Sequence, residues 1–305
     1  MSTRITGNMI SRSVLNDLNE VSQRLAKTQQ RMSSGKQITR PSDDPYGTSR
    51  ALSLRSDLAG TQQYQRNVGE AVAWQSVTDS ALSKITEAVQ RARDLAVQGA
   101  SDSAGQAARN AAAAEIDQLI ASVKQEANAS YGGRYVFAGT NTNIPPYDVS
   151  AASDAYSGDT GVVAREIGPG VSVPVNVLGV DLLGQGQLAG DGKLLDVLRD
   201  LSDHLKSGTV VDMNTLRTAD LKAIDTNLDA ISQTRATVGA TTNRLESADG
   251  RLQQVEESLT KLLSDVEDAD MAKTYVDFSM QQSVYQSALR AGSNIVQQSL
   301  LDFLR

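Results

Sequence analysis

Apolar side chains recur at three- and four-residue intervals along most of this chain, and two of the clearest stripes lie at its ends. Near the start, Ile10, Val14, Leu18, Val21, Leu25, Thr28 and Met32 follow a 4-4-3-4-3-4 spacing, close to a heptad seam. Near the finish, Tyr285, Ala288, Leu289, Gly292, Ile295, Val296 and Phe303 fall on one stripe of a helix over residues 279–305. The remaining positions of that helix are largely glutamine, serine and asparagine. A terminal helix with so little salt-bridging charge has little reason to be stable alone, so its stripe needs a partner. The pattern predicts that the two ends pair as coiled-coil halves. It also predicts that residues 1 to about 40 and about 270–305 order only on assembly.

Between the ends, the breaks are readable. Gly35 should end the first helix, because glycine is the usual residue just past a helix terminus. Asp44 before Pro45 reads as a capping carboxylate followed by proline at the first helical position. The second helix runs to Gln98 with a break expected near Gly69, and Leu82, Ile85, Val89, Ala92 and Ala96 form its stripe. After a turn at 99–105, a third helix carries Ile116, Leu119, Ile120, Val123 and Ala127 on one face. Twelve of the 23 glycines and four of the six prolines then fall between Gly132 and Gly192, where Val171, Val173, Val175 and Val177 alternate as in a strand. Leu194, Leu198, Leu201 and Leu205 mark a short helix. A long one begins near Val211, with Leu228, Ile231, Val238, Leu245, Leu252, Val255, Leu259, Leu262 and Val266 at heptad-like spacing. Arg235, Thr242 and Asp249 occupy core-type positions in it, weakening the seam but fixing its register.

The expected fold is mainly α: a long coiled-coil helical rod formed by both termini, with a small β-rich middle insert. The division is 1–43 for the N half of the terminal domain and 44–138 for the N half of the rod. The outer insert takes 139–192, the C half of the rod 193–264, and the C-terminal coiled-coil helix 265–305.

Composition narrows the chemistry. The 305 residues include no cysteine and one histidine, His204, which excludes disulfides, cysteine nucleophiles and two-histidine zinc hydrolases. Net charge is −7 and no Lys/Arg cluster stands out, which argues against nucleic acid or an anionic membrane as partner. No apolar run is long enough to insert in a membrane, and no secretory signal peptide is visible. No cofactor is expected. The acidic run Asp265, Glu267, Asp268, Asp270 lacks the glycine and ligand spacing of a calcium loop and reads as helix-start chemistry. Ser42, Asp43, Asp44 and Lys36 lack a suitable base for hydrolysis and read as a connector cap. Tyr131, Tyr135, Phe137 and Tyr147, a third of the aromatics, read as packing where the insert begins rather than as a sugar platform.

Three stretches then suggest a family: SSGKQITRPSDDP (33–45), TRATVGATTNRLES (234–247), and the run from DVEDADMAK to SLLDFLR (265–305). Together they resemble the bacterial flagellin superfamily. The forms RPSDDP followed by ALSLRSDL, YGGRYVFAGTNTNIPPY at 131–147, and the ending SLLDFLR are most similar to its hook–filament junction branch, the hook-associated protein 3 family. The resemblance covers roughly 4–147 and 194–305. It implies a non-enzymatic structural subunit of the extracellular flagellum, exported by the type III apparatus without a cleaved signal and held beforehand by an export chaperone. It further implies a ring of copies between hook-associated protein 1 and flagellin. The assembly interface would be Ile10, Val14, Leu18, Val21, Leu25, Met32, Tyr285, Leu289, Ile295, Val296 and Phe303. The stretch QRARDLAVQ, with Arg91 and Leu95 on one helical face and Glu115 on the next helix, is similar to the face by which flagellin monomers meet their Toll-like receptor. Lateral packing between subunits is the plainer role for those three.

Alternatives remain open at this point. A short flagellin would polymerise as the filament itself, and a free coiled-coil adhesin would bind a ligand through its insert. An enzyme grafted into the insert is disfavoured, since 148–192 contains no histidine, cysteine or lysine. A simple intramolecular hairpin would leave a second apolar edge uncovered, with Val284, Ala291 and Leu300 beside the main stripe.

Overall fold

The computed structural model describes residues 7–151, 153–186 and 190–303; for 7–11 and 294–303 only the backbone is described, apart from the Met9 side chain. The order of elements is α1 (Gly7–Ser34), α2 (Pro45–Gly99), α3 (Gln106–Ala127), β1 (Ser130–Tyr131), β2 (Arg134–Tyr135), β3 (Ala164–Gly168), β4 (Val171–Pro174), α4 (Gly179–Leu183), α5 (Leu194–Ser207), α6 (Val210–Thr215), a π turn (Leu216–Asp220), α7 (Leu221–Glu267) and α8 (Met271–Phe303). The protein is therefore mainly helical, with a small strand-containing middle region. Two compact units emerge, one of residues 1–60 and 255–305, the other of 61–254.

Helix boundaries follow local chemistry. Gly35 ends α1 with φ +70°, a conformation that costs glycine little. Asp44 Oδ1 accepts from Gly47 N at 2.9 Å, the cap that lets Pro45 open α2. The break expected at Gly69 does not occur. Val68 and Ala71 are fully buried on either side of it, and their packing outweighs the roughly 1 kcal/mol that a helical glycine costs. The long helix after α5 starts one residue early, at Val210, and passes through the π turn before settling into α7.

In the unit of 61–254, α2, α3, α5 and α7 close around a contiguous apolar core. Leu82, Ile85 and Val89 meet Ile116, Ile120 and Val123 there, with Leu194, Leu198, Leu201 and Leu205 from α5 and Leu216, Ile224 and Ile231 beyond them. Each is buried because the 3.6-residue repeat keeps it on one side of its helix. Gly99 lies so close to Leu205 that a Cβ there would sit 2.4 Å from Leu205 Cδ2, so a larger residue at the α2 terminus would make that leucine side chain shift.

The middle region holds less strand than its glycines and valines suggest. Gly132 and Gly133, both at positive φ, turn the two-residue hairpin β1–β2, as a primed turn requires. A second antiparallel hairpin, β3–β4, carries a register shift between Glu166 and Gly168. Phe137 and Tyr147 are buried, and the Tyr147 hydroxyl donates to Gly184 O at 2.7 Å. These two aromatics act in packing, as expected. Tyr131 stays more open and meets Trp74 edge-on at 6.5 Å.

Candidate assembly surfaces

In the unit of 1–60 and 255–305, α1 and α8 lie side by side. Val14, Leu18, Val21, Leu25 and Met32 of α1 are half-buried along this seam, and so are Tyr285 and Ala288 of α8. Gly292 makes the tightest approach: a Cβ there would lie 3.2 Å from Val14 Cγ1 and 3.6 Å from Leu18 Cδ1. At the buried Thr28, the hydroxyl donates to Gln281 Oε1 at 2.7 Å, a polar contact within an otherwise apolar seam. Ile10, Ile295, Val296 and Phe303 belong to the helices, but their side chains lie outside the described residues.

Leu289 departs from the stripe the spacing assigned it. Gln281, Tyr285, Ala288 and Gly292 turn toward α1, and the next position, about 100° further round the helix, is 43% exposed. Leu289 joins Met271, Tyr275, Val276, Met280 and Val284 as exposed apolar side chains of α8. On α7, Val255 and Leu262 are exposed as well, although their heptad positions suggested a covered seam.

The connector after α1 is tied by backbone pairing to the end of α7 and the link that leads into α8. Gln37 N donates to Glu267 O at 2.7 Å, and Ala269 N to Gly35 O at 2.9 Å. The buried Glu267 carboxylate takes salt bridges from both Lys36 and Arg55, an arrangement that keeps a buried charge compensated. Asp43 is held down to about 2, first by the Lys27 ammonium at 2.9 Å and then by the Thr39 hydroxyl at 3.0 Å. SSGKQITRPSDDP is thus a braced corner.

In the unit of 61–254, Arg91 Nε meets Glu115 Oε1 at 2.7 Å, and both side chains remain well exposed. Leu95 is only 4% exposed and packs into the core, yet Arg91, Leu95 and Glu115 line one surface hollow, with Leu95 at its floor. Arg235 pairs with Asp79 at 2.9 Å on the surface, and the Thr242 hydroxyl bonds back to Val238 O. Asp249 accepts from Gln253 at 2.7 Å. These polar positions of α7 lie beside the seam rather than within it. His204 Nδ1 sits 2.6 Å from Asp220 Oδ2. Burial works against the charged ring, but Asp220, with Asp212 and Asp200, outweighs it and raises the histidine above its ordinary value.

A buried ionic cluster escaped the pattern of residues. Lys124 and Asp154 are both buried and meet at 2.8 Å; Arg199 Nε reaches Asp154 Oδ2 at 2.7 Å. The Lys124 ammonium also donates to Asp148 O and Ala151 O, at 2.9 and 2.7 Å. It thereby staples the loop at 148–154 to α3. Burial pushes the Asp154 carboxyl up, but the two cations more than offset this and leave it below its ordinary value. The signal for it was present: Lys124 continues the four-residue series Ile116, Ile120, and a lysine in a core stripe needs a buried partner.

Among the described residues no helix is long and apolar enough to cross a membrane. Residues 5–142 match the bacterial flagellin N-terminal helical region, and residues 221–304 match the bacterial flagellin C-terminal helical region. The chain is 27% identical to flagellin of Bacillus subtilis (strain 168), over 99% of this chain and 100% of that protein. It is also 27% identical to flagellar hook-associated protein 3 of Escherichia coli (strain K12), over 86% of this chain and 87% of that protein. The solved structure of flagellar hook-associated protein 3 from Legionella pneumophila shares the fold, with a TM-score of 0.60 over 70% of this chain and 98% of that one, at 14% identity. The paired terminal helices and the two matched regions together lead to one conclusion: this chain belongs to the bacterial flagellin family and is an extracellular structural component of the flagellar axis, not an enzyme.

Proposed function

We propose that this subunit forms the junction between hook and filament, as a ring of copies with hook-associated protein 1 on one side and flagellin on the other. The observation that carries assembly is the apolar surface that α8 leaves exposed, Met271, Tyr275 and Leu289 on one side of the helix and Val276, Met280 and Val284 on another. Exposed apolar surface of that extent marks a protein interface. What favours the junction over the filament is the sequence at three places: RPSDDP with ALSLRSDL behind it, YGGRYVFAGTNTNIPPY, and the ending SLLDFLR. In this reading the terminal segments 1–43 and 265–305 build the inner tube. The arms 44–138 and 193–264 build the next shell, and 139–192 lies outermost. Val14, Leu18, Val21, Leu25, Met32 and Tyr285 hold the two terminal helices together, and Leu289 faces a neighbouring subunit. An export chaperone shields the terminal segment before type III export. The exposed pair Arg91–Glu115 serves lateral packing between subunits, with receptor recognition confined to stray monomers.

A short flagellin that builds the filament itself is the second reading, favoured by the full-length match to the Bacillus subtilis flagellin. Immunogold labelling of intact flagella separates the two. The junction reading expects gold at one point near the hook; label distributed along the whole filament would overturn it.

A further inference from the structure

His204, the one histidine of the chain, stands in the last turn of α5, where the helix terminus favours a cation. Its Nδ1 lies 2.6 Å from Oδ2 of Asp220, and Asp220 is buried at the end of the π turn. Asp212 of α6 and Asp200 of α5 also bear on the ring. Asp203, its neighbour in the chain, acts on Arg199. The cations of α5 and the π turn are committed elsewhere: Arg199 to Asp154, Lys206 to Asp117 of α3, and Arg217 to Asp102. Asp181 of α4 lies toward Tyr156. When protonated, His204 is the cation around which three carboxylates gather.

The π turn needs such an anchor. Its wide loop, closed by Leu221 N donating to Leu216 O, is less favourable than an α turn and persists where outside contacts fix both of its ends. Arg217 fixes one side, donating to Ala100 O at 2.8 Å and pairing with Asp102. Asp220 fixes the other side through His204. We infer that His204 is a proton-operated latch, whose charged ring clamps the π turn and α6 onto α5 and whose neutral ring releases them. With the proton gone, a charge-assisted bond becomes an ordinary one, and Asp200, Asp212 and Asp220 are left facing a neutral ring. α6 has little else to hold it, since Val210 and Val211 are exposed and Met213 is its one buried side chain. The direction follows from linkage. The fold raises the histidine above its ordinary value of 6.5, so the latch is closed below that pH and opens as the pH rises through the higher folded value. The chain is extracellular, so the latch meets the pH of the surrounding medium, whichever part of the flagellum the chain builds.

A single histidine makes the test direct. In full-length chain carrying labelled histidine, the ring resonances should titrate with a midpoint above 6.5; a midpoint at or below it would overturn the latch. Hydrogen exchange of the same chain, corrected for its intrinsic pH dependence, reads the release. Between about pH 6 and about pH 9, protection of segment 209–221 should fall about tenfold, the difference between a charged and a neutral hydrogen bond. Segment 112–124 of α3 should change less than about twofold over the same range. His204→Gln, neutral throughout, should show the lower protection of 209–221 at both pH values. His204→Lys, charged throughout, should show no fall. Equal wild-type protection at both pH values, or an equal fall in His204→Gln, would also overturn the latch. Were His204→Gln destabilised as a whole, 112–124 would lose protection with 209–221, and the two wild-type measurements would still decide.

Discussion

The two compact units bury different things. In residues 61–254, apolar side chains from four helices reach full burial, among them Leu82, Ile116, Leu198 and Leu216. In residues 1–60 and 255–305, Ala51 is the one buried apolar side chain among the described residues, and the other buried side chains there are polar: Thr28, Glu267 and Thr274. Leu15, Leu52, Tyr275, Val276 and Met280 remain exposed in that unit. The apolar content is present in both; what differs is whether a single copy can cover it. Two helices side by side bury one stripe each, whereas a helical cluster with a folded middle region surrounds its stripes. One unit is therefore a finished core, and the other leaves much of its apolar surface open.

The sharpest way to break this comparison is to damage the finished core at its ionic staple. Lys124→Met removes the donor to two loop carbonyls and one of two cations on the buried Asp154. The expected loss is about 3 kcal/mol in urea unfolding of the full chain, because a buried carboxylate and two carbonyls lose their partner. Acid should act at the same place. Asp154 titrates below its ordinary value of 3.8 in the folded state, so its contribution is complete above that pH and is lost as the pH falls through the folded value. The wild-type midpoint should therefore drop below about pH 4, and the drop should be smaller in Lys124→Met. Equal pH dependence in the two chains would remove the staple from the account.

A pair of truncations tests the contrast directly. Leu198→Ala, at a fully buried position of α5, should cost about 2–5 kcal/mol of monomer stability. Met280→Ala, 59% exposed on α8, should change monomer stability by less than about 0.5 kcal/mol yet weaken assembly. Comparable losses in the isolated monomer would mean that the open unit is not open.

The smallest expected difference compares two helical glycines. Gly239 has open space where a Cβ would stand, so Gly239→Ala should add about 0.5–1 kcal/mol through helix propensity. Gly292→Ala gains the same propensity, but its Cβ meets Val14 at 3.2 Å, so the gain should shrink or vanish. Thermal melts of the two single variants suffice. An equal gain at both sites would show that the α1–α8 seam has slack at its closest point.

Local chemistry made much of this fold legible beforehand. Gly35 and the Asp44–Pro45 cap set boundaries that depend only on their own dihedrals and the next few amides. Leu194, Leu198, Leu201 and Leu205 predicted both a helix and its buried face, because four residues at three- and four-residue steps can share a side only in a helix. The terminal seam was readable for the same reason. Misjudgements came where packing overrode a local preference. Gly69 argues for a break, but its buried neighbours hold α2 continuous.

What periodicity cannot supply is the choice among faces that are nearly equivalent. Tyr285, Ala288 and Leu289 all fall within one broad apolar stripe, and only the rotation of α8 against α1 turns Leu289 outward. Leu95 stands on the same helical side as Arg91, but the third helix and its neighbours close over one and leave the other in solvent. The meeting of Lys124, Asp154 and Arg199 joins residues 30 and 45 positions apart through a loop whose path no repeat encodes. Sequence by itself determined where the long helices lie, several of their ends, and that both ends of the chain seek a partner, because those properties arise within a few residues. Tertiary structure alone decided which side of each helix is covered, since burial is a property of what arrives from elsewhere in the chain.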